Sequence, residues 1–224
     1  MAHLFKDRFD AGERLARRLL PLARREDVIV LGLPRGGIPV AYEVAQVLEA
    51  PLDPFVVRKL GLPGQEEMAI GAIASGGIRV LDERLIAHLR IPRDVVERVT
   101  RAEREELHRR EHIYRDNTLS LNVDGKIVIL VDDGLATGAS MTVAIAALRE
   151  PHPGAIVVAV PVAPPETCES LRQVADAVIC LHTPTPFSSV GQWYENFDQT
   201  TDDEVRMLLE RASERRWGRI AESA

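Results

Sequence analysis

Asp132 and Asp133 stand side by side at the end of an apolar run, Ile129-Leu130-Val131, and Gly134-Leu135-Ala136-Thr137-Gly138-Ala139-Ser140-Met141 follows. The order sets two carboxylates beside a short loop of small and hydroxyl-bearing residues that opens into a helix-forming segment. Carboxylates accept hydrogen bonds and suit sugar hydroxyls, whereas the bare N–H groups of a helix N-terminus suit a phosphate. A phosphorylated ribose asks for both at once. Two carboxylates so close repel each other unless a cation or several donors neutralise them, and a ribose diol with a nearby Mg2+ would do so. Gly138 allows close backbone approach, and the hydroxyls of Thr137 and Ser140 add donors for a monophosphate. A plainer use is open as well: Asp133-Gly134 as a turn after a strand, with Ser140 as a helix N-cap. The complete ordered motif favours the ligand.

Three other segments carry chemistry-bearing side chains. Gly32-Leu33-Pro34-Arg35-Gly36-Gly37-Ile38-Pro39 is a tight turn whose N–H groups and one Arg could receive an anion before a helix starts; a Gly-rich turn also has purely steric uses. Arg58-Lys59 places two cations at an expected strand end, which suits a diphosphate. The Gly- and Pro-punctuated stretch Leu60 to Glu67 behind them has the composition of a mobile lid, and an ordinary surface loop is the alternative. Pro184 to Phe197 concentrates aromatics in a chain with only 4% of them. Trp193 and Tyr194, with Phe187 and Gln192 beside them, are candidates for stacking on a flat acceptor or for packing the C-terminal helix onto the sheet. A fifth segment, His108-Arg109-Arg110-Glu111-His112, has the spacing of an inverted zinc-peptidase motif. Arg104, Arg109, Arg110 and Arg115 around it oppose a dication, so a solvated helix face is expected instead.

The elements that must position these residues follow from periodicity. Val28 to Leu31, Phe55 to Val57, Ile127 to Val131, Ile156 to Val160 and Ala177 to Leu181 are short apolar runs without alternation, as expected of strands covered on both faces. Helical patterns separate them at Val40 to Leu48, Ser140 to Arg149 and Glu166 to Val174. That rhythm predicts an α/β fold, with a doubly wound, mainly parallel five-stranded sheet flanked by helices. Asp10 and Glu13 form a capping box for a first helix through Leu15, Leu19 and Leu20, and Thr201 with Glu204 repeats the device near the end. Residues 93–115 read as a charged helical insertion packing through Val95, Val96, Val99 and Leu107, and residues 183–224 as a C-terminal hood and helix within one domain spanning 1–224. Ligands of open α/β sheets bind beyond the carboxyl ends of the strands, where the loops from Gly32, Arg58 and Asp132 are expected to meet.

Composition narrows the partners. The chain has 224 residues, 46% of them hydrophobic, enough for a sizeable core, and a net charge of −6. No basic field is present to attract nucleic acid or an anionic membrane. No run is long enough to span a bilayer and no secretory signal is visible. Cys168 and Cys180 are read as thiols of a reducing compartment rather than a disulfide, so a cytoplasmic location is expected.

The segment from Ile129 to Ser140 resembles the phosphoribosyl-diphosphate (PRPP) motif of type I phosphoribosyltransferases: apolar residues, two acids, a spacer, then Thr-Gly-x-Ser. The resemblance implies that Asp132 and Asp133 hold the ribose hydroxyls, with Mg2+ reached through ribose or water, and that Ala136 to Ser140 (Ala136, Thr137, Gly138, Ala139, Ser140) hold the 5′-phosphate. It places a pyrophosphate-binding loop at Arg35 and Gly36, a flexible catalytic loop at Arg58 and Lys59, with Arg58 also on the pyrophosphate, and an acceptor-covering segment at Gln192, Trp193 and Tyr194. The segments Arg8 to Leu15, Leu33 to Gly37, Val57 to Leu60 and Gly191 to Tyr194 are similar to a group of bacterial proteins known as predicted phosphoribosyltransferases. Hypoxanthine-guanine enzymes carry an Asp immediately before the Thr-Gly; Ala136 stands there in this chain, as in adenine-type enzymes, which counts against a 6-oxopurine acceptor handled by that acid. The expectation is an Mg2+-dependent transfer from PRPP to a small nitrogen acceptor, with a homodimer as the usual state of such enzymes. The rivals are a PRPP- or nucleotide-sensing protein without turnover and a ribosyl-phosphate hydrolase.

Overall fold

The computed structural model describes residues 3–114 and 122–222, without the side chains of 65–67 and 215–222. Five parallel strands form the central sheet: β1 (Val28–Gly32), β2 (Leu52–Pro54), β6 (Ile127–Val131), β7 (Ala155–Val162) and β8 (Ala177–His182), in the order β2-β1-β6-β7-β8. Both faces of the three central strands are covered, which is why β1, β6 and β7 read as unbroken apolar runs. Val28, Val30, Ile129 and Val131 face α1 (Arg8–Leu19) and α2 (Gly37–Leu48), packing on Leu15, Leu19, Val40 and Val44. Ile29, Leu31, Val128 and Leu130 face the other way, onto Met141, Ile145 and Leu148 of α5 (Ala139–Arg149) and Cys168 and Leu171 of α6 (Pro165–Arg172). From β1 the chain returns through α2 to β2 on one side; from β6 it returns through α5 to β7 on the other. The carboxyl ends of β1 and β6 therefore border the switch point, paired in register from Val28↔Ile127 to Gly32↔Val131.

The second strand differs from the sequence expectation. It is Leu52–Pro54, an edge strand of three residues, and Phe55 and Val56 are a buried link beyond it. Apolarity marked the link because it is the better buried piece, whereas the strand carries Asp53 and Pro54, and Pro is tolerated at an edge. Val57 instead opens a separate antiparallel sheet of β3 (Val57–Leu62), β4 (Gln65–Ala74) and β5 (Ile78–Leu81). β3 and β4 pair around a Pro63-Gly64 turn, with a register shift at Gly61. The punctuated stretch expected as a lid is thus, from Leu60 on, mostly strand.

α3 (Glu83–His88) leads into α4 (Arg93–Tyr114), 22 residues long, whose buried residues are Val96, Thr100, Leu107 and Tyr114. That narrow stripe meets Leu60, Ile70 and Ile73 of the antiparallel sheet and Val205 and Leu208 of α7 (Asp202–Glu222). Val96, Val99 and Leu107 pack as expected, whereas Val95 lies in an open groove with Leu62, Pro63 and Leu89. Arg115 lies outside the described residues. His108 faces Glu111 of its own helix at 3.5 Å, and His112 is exposed. The first helix opens earlier than expected. Asp7 is its cap, accepting from the Asp10 amide at 2.9 Å, while Asp10 pairs with Arg14. Thr201 does cap α7, accepting from the Glu204 amide at 3.1 Å.

Candidate functional site

Val131 ends β6 in the core, and the next residues emerge at the switch point. The Asp133 amide donates to Asp132 Oδ1 at 2.9 Å. Both carboxyls are pushed up in pKa, Asp132 well above the usual carboxylate range, chiefly by burial and then by the charge of its neighbour. Burial raises Asp133 too, opposed by the Arg8 guanidinium. Arg8 Nε donates to Asp133 Oδ2 at 2.8 Å, and Tyr194 Oη donates to the Asp133 carbonyl at 2.5 Å. Hydroxyl donors from a diol, or a cation, would relieve this crowded pair.

Beyond the acids the loop turns into α5. Gly138 caps that helix with φ of 71°, a conformation glycine adopts without cost. A side chain there would also meet Thr167, whose hydroxyl donates to the Ala136 carbonyl at 2.7 Å and ties the loop to α6. Ala136, Thr137 and Ser140 are exposed, and the Thr137 hydroxyl accepts from the Ala139 amide at 3.4 Å. Ser140 is therefore not the N-cap. It stands inside the first turn, where its N–H is one of the helix's orphan donors. The N-terminus of an 11-residue helix, an open loop and two hydroxyls stand a few residues from the two acids, an arrangement whose donors can receive an anion.

The loop after β1 lies against the acids. The Leu33 amide donates to the Val131 carbonyl at 2.9 Å. A Cβ on Gly36 would overlap Asp133 Oδ2, and one on Gly37 would sit 2.8 Å from the Val131 carbonyl oxygen and 2.9 Å from Asp132 Cα. The two glycines thus allow the Arg35 loop and the acid pair to occupy one crevice. Arg35 itself points to the mouth, with Nη1 3.9 Å from Asp202 Oδ1 at the start of α7. Asp202 also accepts from the Tyr114 hydroxyl at 2.8 Å.

Arg58 and Lys59 do not sit at a parallel strand end. They lie within β3, pairing with Ile73 and Ala72 of β4, on alternate faces of the strand. Arg58 shares the face of Val56 and Leu60 and is held by α4, with Nε 2.7 Å from Glu103 Oε2. Lys59 shares the opposite face with Val57, which packs toward α5, and is exposed. Trp193 and Tyr194 are brought near the site, but their rings are enclosed with Phe5, Ala11 and Val162. Tyr194 lies 5.2 Å from Phe5 and 4.9 Å from Phe197, ring centre to ring centre. Phe187 flanks Trp193 at 6.0 Å, and the Gln192 amide oxygen accepts from the Trp193 indole at 3.0 Å. These aromatics form a supported roof beside the acids.

Arg8 is the site residue that motif reading missed. It lies 125 residues from Asp133 in sequence, at the first turn of a helix whose charges otherwise read as a solvated face.

Comparison with known proteins agrees with this architecture. The model of the phosphoribosyl transferase domain family matches residues 62–196. Two Mycobacterium tuberculosis proteins, each named "Putative phosphoribosyl transferase", are 46% identical over 209 residues, covering 93% of this chain and 47% of each relative. The chain therefore spans about half the length of the curated relatives it matches. The crystal structure of TT1426 from Thermus thermophilus matches with a TM-score of 0.84 at 42% identity, over 92% of this chain and 98% of that one.

Proposed function

This chain belongs to the phosphoribosyl transferase domain family, and from that premise we propose that it moves the 5-phosphoribosyl group of PRPP to a nitrogen acceptor and releases pyrophosphate. The observation that carries the proposal is the contact made by Gly36 and Gly37, which brings the Arg35 loop against Asp132 and Asp133 while the α5 N-terminus opens beside them. One crevice then offers acceptors for a diol, donors for a monophosphate and a cation for the leaving group.

In this reading the bond from ribose C1 to the pyrophosphate oxygen breaks as the acceptor nitrogen bonds to C1. The electron pair leaves with pyrophosphate, and the acceptor's proton passes to water after the oxocarbenium-like state. The protein's contribution is positional and electrostatic. Asp132 and Asp133 fix the diol. Ala136, Thr137, Gly138, Ala139 and Ser140 receive the 5′-phosphate. Arg35 and the Gly36 backbone meet the pyrophosphate, and the half-exposed Arg35–Asp202 pair, worth about 0–1 kcal/mol, is readily exchanged for it. Lys59 is the cation of β3 not taken by α4, whereas Arg58 can reach the pyrophosphate only by giving up Glu103.

Mg2+, when bound, supplies charge neutralisation at the pyrophosphate. Asp132 and Asp133 are oxygen donors suited to it. Among the described residues no group of three or more His, Cys, Asp or Glu forms a metal cage, which fits a cation that keeps most of its ligands from substrate and water. With their rings enclosed, we assign Trp193 and Tyr194 to support of the roof, with Gln192 at its rim the nearest of the three to an acceptor. Ala136 stands where hypoxanthine-guanine enzymes carry an acid, so the acceptor we propose is a nitrogen base that is not handled by that acid. The free Cys168 and Cys180 suit a reducing, cytoplasmic setting.

The test is calorimetry of Mg-PRPP followed by pyrophosphate release across a panel of bases. Binding is expected in the micromolar range, about −8 kcal/mol, and Asp132→Asn with Asp133→Asn should weaken it at least about tenfold, as the loss of charged hydrogen bonds implies. Absence of Mg-PRPP binding by the purified protein sinks the reading. Binding with no pyrophosphate released on any base favours a sensor.

A further inference from the structure

Arg8 occupies the first helical position of α1, where the helix dipole disfavours a cation. Its side chain is only 11% exposed. A guanidinium so placed gives up most of its hydration, and it is stable there only if other groups replace the lost water. Three do. Nε donates to Asp133 Oδ2 at 2.8 Å, Nη1 donates to the Asp198 carbonyl at 2.7 Å, and Cζ stands 3.9 Å above the Phe197 ring. None of these partners belongs to α1 or stabilises its first turn, which Asp7 caps.

The backbone around Arg8 shows what the contact joins. Residues 4–6 run beside residues 193–196 as a short parallel ladder: the Leu4 and Phe5 amides donate to the Trp193 carbonyl, the Glu195 amide to Phe5 and the Asn196 amide to Lys6, all at 2.9–3.0 Å. This strap and the roof then converge on one residue of the crevice. Arg8 grips the Asp133 side chain, and Tyr194 grips the Asp133 carbonyl. Asp133 needs such a grip, because Asp132 repels its carboxylate and free rotation would carry it toward water.

We propose that Arg8 is a positioning residue for phosphoribosyl transfer: it holds the Asp133 carboxylate beside Asp132, so that both acids meet the ribose diol, and it ties that carboxylate to the strap and roof. This deepens the reading given above and rests on it.

The experiment is a double-mutant cycle in the full chain, read as the Kd for Mg-PRPP by calorimetry. Arg8→Gln is expected to weaken binding about tenfold, the size seen for losing one charged hydrogen bond. Arg8→Lys, which keeps the charge but neither the Asp198 bond nor the planar stacking, should recover part of the loss. In an Asp133→Asn background, Arg8→Gln should add less than about twofold, because the two substitutions remove the same interaction. Arg14→Gln supplies the structural comparison: it breaks a side-chain anchor of the strap, Arg14 Nη1 to the Leu4 carbonyl at 3.0 Å, without touching the acids, and should leave Kd unchanged. Unaltered binding by Arg8→Gln overturns the proposal, as does full additivity with Asp133→Asn or an equal loss from Arg14→Gln. Should Arg8→Gln fail to fold by circular dichroism, Arg8→Lys with and without Asp133→Asn carries the same comparison. A parent protein that does not bind Mg-PRPP overturns the functional reading itself, whereas a parent that binds and an Arg8→Gln variant that binds equally well overturns this inference alone.

Discussion

Asp132 carries a cost that its fold does not explain. Burial and the Asp133 charge hold its carboxyl well above the ordinary range. A carboxyl with a higher pKa folded than unfolded binds its proton more tightly when folded, so the free protein loses stability as pH rises from the unfolded value toward the folded one. Asp132→Asn removes that loss. The variant should melt above the parent near pH 8, where ionising Asp132 destabilises the parent, and level with it near pH 4, where both side chains are neutral. It should also lose Mg-PRPP binding; a variant that melts lower at both pH values refutes the assignment. The same shift gives binding a sign. If the ligand needs the ionised acids, Mg-PRPP binding should release protons and tighten as pH rises, visible as a heat that depends on the ionisation enthalpy of the buffer. Gly36 makes a separate claim at this scale. Gly36→Ala puts a methyl group into Asp133 Oδ2 and should weaken Mg-PRPP binding about tenfold or more, the order expected when overpacking costs about 1–3 kcal/mol.

Among the elements, α4 shows which forces dock a charged helix. Its surface carries Glu106 bonded to both Arg109 and Arg110, which lowers the Glu106 pKa to about 2, but these side chains lie at the solvent surface, where water screens such pairs. Its attachment depends on Val96, Leu107 and Tyr114 against the antiparallel sheet and α7. Leu107→Ala should destabilise by about 2–5 kcal/mol in urea unfolding, whereas Glu106→Ala should leave the urea midpoint nearly unchanged. The reverse ranking would mean that the ion pairs hold the helix. This element was legible as a helix because its stripe of apolar residues has helical spacing. The antiparallel sheet before it was not. Gly61, Pro63 and Gly64 read as loop punctuation, and the pairing of Val57 with Ala74 or Gly71 with Leu81 follows from no local pattern. The short strand Leu52–Pro54 was hidden for a related reason: it is an edge strand completed by β1, and its own residues include Asp and Pro.

For the whole molecule, the strap at residues 4–6 and the roof at residues 193–197 are one structure made from segments far apart in the described chain. Phe5, 1% exposed, fills the space between Tyr194, Ala11 and His182. Phe5→Ala should cost about 3–5 kcal/mol and lower Tm by roughly 6–20 °C, measured by thermal unfolding. A loss below about 1 kcal/mol would show that the strap is not part of the cooperative fold. Such joining of distant segments divides what could be read from residue order from what could not. The sequence by itself determined the parallel sheet, because burial on both faces leaves unbroken apolar runs at Val28, Ile127 and Ile156. It also determined the acid-loop-helix motif from Asp132 to Ser140, because those groups are neighbours along the chain. Only the tertiary structure decided that the Arg35 loop touches the acids, that Arg58 is spent on Glu103, that Trp193 and Tyr194 are enclosed, and that Arg8 grips Asp133. Each of those contacts joins residues far apart in sequence, and their energies come from burial and charge pairing that exist only once the chain has closed on itself.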